Sequence, residues 1–393
     1  MLTNNELNKI LTKNRLPKNN VSRTKYINKI IDFIDRKEVI VIKGIRRCGK
    51  STIIKQIISK LKDKNCVYVN LDDFRFLEYK NLELLEKILK LNLSKEKLYL
   101  FLDEIQTIPK FESWLRTHYD KETNVKFIIS GSNSKLMSKD LGTVMTGRSI
   151  TFEITPLSYD EFKDFSKGGL KEYMKFGGFP EVVLEKEEYK KIEILSNYFN
   201  TIVEKDIIEK YKVQQHKQLR ELLKYIISNP GIRISANKIS KQLGISINTV
   251  KSYLSLAEQV YLIFEVPFFS YSAKTKFIGS RVSKYYCIDF GLIKVLSMRT
   301  EKSKLYENLI ALKFFSNREN LFYWKDKNEV DFVIKNNAYN VISSPKIPER
   351  EYKGLKEIKQ KFKHIQKIII LNPSITTKEK GIELIKIQDF LDE

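Results

Sequence analysis

Gly44 and the residues that follow it, Ile45, Arg46, Arg47, Cys48, Gly49, Lys50 and Ser51, have the spacing GxxxxGK[ST], with Thr52 next in line. Glycines at that separation let backbone N–H groups curl around phosphate oxygens. A lysine there adds a point charge near the β and γ oxygens, and a serine hydroxyl can ligate Mg²⁺. The counterpart such a loop needs is acidic. The apolar run Leu98-Tyr-Leu-Phe-Leu102 ends in Asp103-Glu104, after room for a helix, a strand and a second helix. On this reading Asp103 holds the Mg²⁺ shell and Glu104 polarises the water that attacks the γ-phosphorus.

Strands and a helix must position these groups. An apolar run over 38–43 leads into the loop, and Ile53, Ile54, Ile57, Ile58 and Leu61 recur at helical spacing behind it, which predicts a helix over 51–61. Further runs over 66–71, 98–102, 126–130 and 149–154 read as strands. The fourth run, 126–130, opens into Gly131-Ser132-Asn133. Ser130, Ser132 and Asn133 are candidates of equal rank for orienting the attacking water. Arg148, just ahead of the fifth run, offers a cation for transition-state charge, in cis or across a subunit contact, or else a structural salt bridge. Cys48 lies inside the loop, so its alkylation is expected to block nucleotide binding, unless it is only a small residue there.

The chain has 71 Lys and Arg against 48 Asp and Glu, a formal charge of +23. Such an excess favours phosphate-rich partners, nucleic acid first among them, although a bias toward Lys, Ile and Asn can also spread basic residues without making a groove. No apolar run reaches the roughly 18 residues of a membrane span, and the polar start has no apolar signal core. A cytoplasmic location and no membrane partner are therefore expected. Three cysteines and three histidines, all well separated, give neither a disulfide framework nor metal-ligand spacing.

Together, Arg46-Arg47, Asp103-Glu104-Ile-Gln106 with Trp114-Leu-Arg116 downstream, Ser130-Gly-Ser132, Gly147-Arg148 and Pro156-Leu-Ser158 with Glu161-Phe162 resemble the AAA-type ATPases of archaea and bacteria. The likeness continues at Gly177-Gly-Phe-Pro-Glu181, Glu204-Lys-Asp206, Asp289-Phe-Gly-Leu292, Glu307-Asn308 and Glu329-Val-Asp-Phe332. It implies an α/β fold, a P-loop NTPase with a parallel sheet in the order 5-1-4-3-2. It also implies ATP as the preferred nucleotide and makes an oligomer possible.

Residues 218–266 read as helices joined by short turns. Ser235 caps a short amphipathic helix, Gly244-Ile-Ser246 forms a turn, and a helix over 247–259 follows. With 260–269 as a wing strand, this is a helix-turn-helix pattern that would offer Asn248, Thr249, Lys251 and Ser252 to DNA. The same unit can serve as a packing module. Beyond it, a helix over 306–315 with Glu307, strands over 321–324, 330–334 and 338–342, a helix over 352–364 and a strand over 367–371 resemble a small α/β restriction-endonuclease-like domain. In that fold, acids bind Mg²⁺ and the lysine of a Glu-x-Lys pair assists the attacking water. Glu307 and Asp331, with Glu329 beside it, match the acids, but Asn340-Val-Ile342 stands at the Glu-x-Lys position. The domain is expected to be inactive, with Lys346 a poor substitute for the lysine.

The expected organisation is an N-terminal segment (1–20) holding a short helix, an AAA-type ATPase domain (21–160), a helical and winged-helix domain (161–298) and the restriction-endonuclease-like domain (299–393). The expected function is Mg²⁺-dependent ATP binding and hydrolysis coupled to conformational change of the C-terminal domains on DNA. The alternatives are an ATP-controlled DNA nuclease and a slow nucleotide switch that binds a protein partner.

Overall fold

Val39, Ile40, Val41 and Ile42 are consecutive and all buried, which a strand permits only when both its faces are covered. The computed structural model describes residues 3–11, 21–121, 123–131, 145–270, 282–375, 377–379 and 381–392. They divide into two units, one ending at Thr155 and the other beginning at Pro156.

In the first unit, β1 (Val39–Gly44), β2 (Asn65–Asn70), β3 (Leu98–Asp103), β4 (Val125–Gly131) and β5 (Ser149–Ile154) form one parallel sheet. Its order is β5-β1-β4-β3-β2, as the resemblance implies. The helices are α1 (Asn4–Ile10), α2 (Thr24–Ile31), α3 (Lys50–Lys60), α4 (Leu82–Asn92) and α5 (Phe111–Asp120). Val41, Val69, Leu100, Leu102, Leu85, Leu115 and Ile129 share one core, and each such aliphatic side chain contributes about 2 kcal/mol of burial. Because all five strands run the same way, Gly44, Asn70, Asp103, Gly131 and Ile154 end along one edge. That edge is where a doubly wound sheet binds its ligand.

The second unit opens with α6 (Tyr159–Phe165), α7 (Leu170–Phe176), α8 (Pro180–Leu184) and α9 (Glu188–Thr201), the last continuing as a π-helical stretch, Ile202–Glu209. Next come α10 (His216–Ile227), β6 (Ile232–Arg233), α11 (Ala236–Leu243), α12 (Ile247–Gln259), β7 (Ile263–Val266) and β8 (Lys284–Cys287). Gly244 turns the chain between α11 and α12 at φ 64°. The three strands pair antiparallel in the order β6-β8-β7. The strand expected over 260–269 is the shorter β7, joined by two strands that carry no apolar alternation of their own.

After α13 (Phe290–Leu296) and α14 (Lys302–Ser316), six strands form a mixed sheet: β9 (Phe322–Lys325), β10 (Glu329–Ile334), β11 (Asn337–Val341), β12 (Lys367–Asn372), β13 (Thr377–Glu379) and β14 (Ile382–Lys386). Its order is β13-β14-β12-β11-β10-β9, with α15 (Glu349–Lys361) between β11 and β12 and α16 (Ile387–Asp392) at the end. β13, β14 and α16 were not expected. The anticipated boundary at 298–299 falls inside this unit. Distant motifs meet here as packing. The Asp289 carboxylate accepts from the Gly178 N–H at 2.6 Å and the Gly291 N–H at 2.8 Å, and a Cβ on Gly177 would lie 2.0 Å from its Oδ1.

Candidate functional site

Gly44 leaves β1 at φ 152°, and a Cβ there would lie 1.9 Å from the Ile154 carbonyl oxygen of β5, so only glycine fits. Arg47 at φ 69° and Gly49 at φ 96° then turn the chain into α3. The first turn of α3 has no side-chain cap, which leaves its N–H groups and positive dipole end available to an anion. Ile45 is buried, Arg46 and Thr52 are half-buried, and Arg47 is exposed. Buried Lys50 donates from Nζ to the carbonyls of Gly44 (3.1 Å) and Ile45 (3.0 Å), so its ammonium stands within the loop.

Arg23 escaped the sequence reading. It is buried and donates to the Cys48 carbonyl (3.0 Å) and the Thr155 carbonyl (2.9 Å), bracing the loop against the exit of β5. The Cys48 thiol donates to the Ile154 carbonyl at 3.3 Å, and burial pushes its pKa up. The alkylation expectation is therefore corrected. This thiol is enclosed and stays protonated, and reagents act on exposed thiolates.

Asp103 ends β3 in full burial. One of its carboxylate oxygens accepts from the Ser130 hydroxyl at the end of β4, the other from the Tyr68 hydroxyl of β2 at 2.8 Å. The Ser51 hydroxyl of α3 lies near the same phenol and acts on its titration. The two residues expected to serve the Mg²⁺ thus stand beside one tyrosine. Burial first, then the charge of Asp103, holds the Tyr68 phenol far above its ordinary value, so it remains a donor. Ser51 and Asp103 are both hard oxygen donors of the kind that shares Mg²⁺ with phosphate and water, and so they fit that ion. Glu104 follows at φ 55°, ends the strand and accepts from the Gln106 amide.

Of the three water-orienting candidates, Ser130 sits on Asp103, while Ser132 and Asn133 lie outside the described residues. Arg148 is at the opposite end of the sheet. Its carbonyl accepts from the Val39 N–H at the start of β1, and its Nε is 3.0 Å from Asp120 Oδ1. A strand rises about 3.3 Å per residue, so the length of β5 separates Arg148 from the phosphate loop. The cis role is removed by that distance.

The Walker-type ATPase PABY2304 of Pyrococcus abyssi shares this fold with a TM-score of 0.51 and 13% identity, over 72% of this chain and 97% of that one. Residues 36–163 match the model of an AAA domain, and residues 167–303 that of a domain of unknown function. Uncharacterized protein MJ1544 of Methanocaldococcus jannaschii is 33% identical over 93% of this chain and 88% of that protein. The chain belongs to this AAA-domain family. A Haemophilus influenzae protein, also titled uncharacterized, is 29% identical to the AAA-domain chain, over 94% of it and 98% of its relative.

Elsewhere in the AAA-domain protein, Asn248, Lys251 and Ser252 are exposed on the first turns of α12. Thr249 is not available in the same way. Its N–H donates to Ser246 Oγ at 3.0 Å and its hydroxyl lies 2.8 Å from the same atom, so it is taken up by the helix cap. Glu307 of α14 and Glu329 and Asp331 of β10 converge around Lys284 of β8. Asn340 bridges the next two elements. Its Oδ1 accepts from the Asp331 N–H at 3.1 Å and its Nδ2 donates to Glu351 at 2.7 Å, a pairing that an amide can make and a carboxylate cannot. Lys346 is exposed. Among the described residues, no group of three or more His, Cys, Asp or Glu is arranged to hold a metal ion, and no helix is long and apolar enough to cross a membrane.

Proposed function

We propose that this AAA-domain protein is a Mg²⁺-dependent ATPase that couples cleavage of the β–γ phosphoanhydride to rearrangement of its C-terminal unit on DNA. The observation that carries the reading is that Ser51 lies near the phenol that donates to Asp103, at the sheet edge that also holds Lys50 and Glu104. Lys50 exchanges the carbonyls of Gly44 and Ile45 for phosphate oxygens when nucleotide enters. Ser130 and Tyr68 keep the Asp103 carboxylate in one orientation beside Ser51. Glu104 takes the proton of the attacking water. Ser51 and Asp103 would hold Mg²⁺, which would supply charge neutralisation at the phosphate oxygens. A cytoplasmic location belongs to the same reading.

The DNA part rests on the amide, ammonium and hydroxyl that Asn248, Lys251 and Ser252 expose behind a glycine turn, in a chain of charge +23. Phosphate release measured with and without duplex DNA over a range of salt tests it. DNA should raise turnover, and the gain should fall steeply with salt as released counterions dictate. Turnover indifferent to DNA at every salt concentration would replace this reading with that of a slow switch serving a protein partner. Labelled ATP retained by Lys50→Ala would overturn the nucleotide site itself.

A further inference from the structure

Lys284 is the most deeply placed ammonium among the acids of the second unit, its side chain only 2% exposed. Nζ lies 2.9 Å from Glu307 Oε1, 2.7 Å from Glu329 Oε1 and 3.0 Å from Asp331 Oδ1. The ammonium donates to Glu307 and Asp331, and Glu329 completes the ring of negative charge around it. The carboxylates have further partners. Glu307 accepts from the Tyr286 hydroxyl at 2.6 Å, Asp331 Oδ2 from the Val341 N–H at 3.0 Å, and Glu329 faces Arg233 and Lys325 at 3.6 Å each. The backbone of Gly231 approaches so closely that a Cβ would stand 2.7 Å from Glu307 Oε1. Against the cost of burial, the charge of Glu307 and its neighbours keeps the ammonium protonated well beyond its ordinary range.

We propose that Lys284 is a built-in cation occupying the place among Glu307, Glu329 and Asp331 where a nuclease-like domain would hold its divalent ion, which makes the pocket an ionic joint between two sheets. The residues present therefore do not fit a resident metal. The lysine missing from the Glu-x-Lys position is not replaced by a catalytic one, because this ammonium is enclosed by three carboxylates and has no lone pair to offer. β8 belongs to the winged-helix sheet, while Glu307, Glu329 and Asp331 come from α14 and β10, so the ammonium ties the two halves of the second unit together. Removing it should leave three unbalanced carboxylates, a set that suits a hard divalent cation. This inference is independent of the nucleotide reading, since none of its groups belongs to the first unit.

The test is Mn²⁺ binding to the full chain without nucleotide, read as loss of the free-ion electron paramagnetic resonance signal. Wild type, Asp331→Asn, Lys284→Met and the double variant are compared, so that any ion held at the phosphate loop cancels. Lys284→Met should gain one Mn²⁺ per chain, and Asp331→Asn in the double variant should remove it. The melting temperature of Lys284→Met should rise by several degrees with Mn²⁺ while that of wild type stays put, since a ligand stabilises only the state that binds it. A wild-type protein that already holds an ion lost in Asp331→Asn would overturn the proposal. So would a folded Lys284→Met that takes up none. Wild type and Asp331→Asn alone decide the first point if the lysine variant does not fold.

Discussion

The Tyr68 hydroxyl donates to the carboxylate of Asp103 with the hydroxyl of Ser51 close by, so that β2 braces the end of β3 beside the phosphate loop. Tyr68→Phe removes a hydrogen bond to a buried charged group and should cost about 2 kcal/mol in chemical denaturation of the first unit. It should also lower kcat more than it changes KM for ATP, because it loosens Asp103 while the Lys50 ammonium and the loop N–H groups that grip the phosphates keep their places. Glu104 has the opposite signature. Glu104→Gln keeps size and hydrogen bonding but cannot accept a proton, so equilibrium binding of ATP should survive while phosphate release falls by about 100-fold or more. Phosphate release at the wild-type rate would show that another group activates the water. Lys50, Ser51, Asp103 and Glu104 were all readable as chemistry-bearing residues in the linear chain. Tyr68 was not, since a tyrosine within an apolar strand is indistinguishable from a core residue until β2 is seen beside β3. Arg23 lay hidden for the same reason, its partners being carbonyl groups, which every residue possesses.

At the scale of elements, the contact of Gly44 with β5 is a matter of strand spacing. Gly44→Ala puts a methyl group into the Ile154 carbonyl at a φ that alanine resists, and should cost about 3 kcal/mol and lose nucleotide binding, as urea unfolding and ATP titration would show. The strands of the first unit were legible because each is a buried apolar run followed by a polar edge. β6, β8 and β13 were not, because two to four residues cannot display a period. α12 carries a pH dependence of its own. Glu258 is pushed up from its ordinary 4.5 to about 7 by burial and then by Glu265 on β7, with the Tyr285 phenol of β8 nearby. A carboxyl whose folded value is raised binds its proton more tightly when folded. Its contribution is full below about 4.5 and is lost as pH rises through about 7, on the order of 3 kcal/mol in all. Glu258→Gln should flatten that part of the melting-temperature profile, and an unchanged slope would show that Glu258 titrates normally.

For the molecule as a whole, Arg148 poses the question of assembly. It stands at the end of β5 remote from its own phosphate loop, next to Asp120, so any role at a phosphate requires another copy of the chain. We expect Arg148→Ala and Lys50→Ala, each inactive in phosphate release, to recover activity when mixed, because one supplies the loop and the other the arginine. Mixtures as inactive as their components would make Arg148 a partner of Asp120 and nothing more. Light scattering with and without ATP would show whether copies associate at all. Two domains were expected over 161–298 and 299–393, and Lys284 from the one and Glu307, Glu329 and Asp331 from the other share one ionic cluster.

What the linear chain determined by itself was local: the phosphate loop with its strand and helix, the acidic end of β3, the glycine turn ahead of α12, and the absence of a Glu-x-Lys pair. These depend on spacing along the backbone, which the order of residues specifies directly. Tertiary structure alone decided that Tyr68 braces Asp103 near Ser51, that Arg148 lies at the far end of its sheet, and that Lys284 fills the acidic pocket. Each is a meeting of residues on separate strands or helices, set by sheet order and register, and no spacing within one segment encodes it.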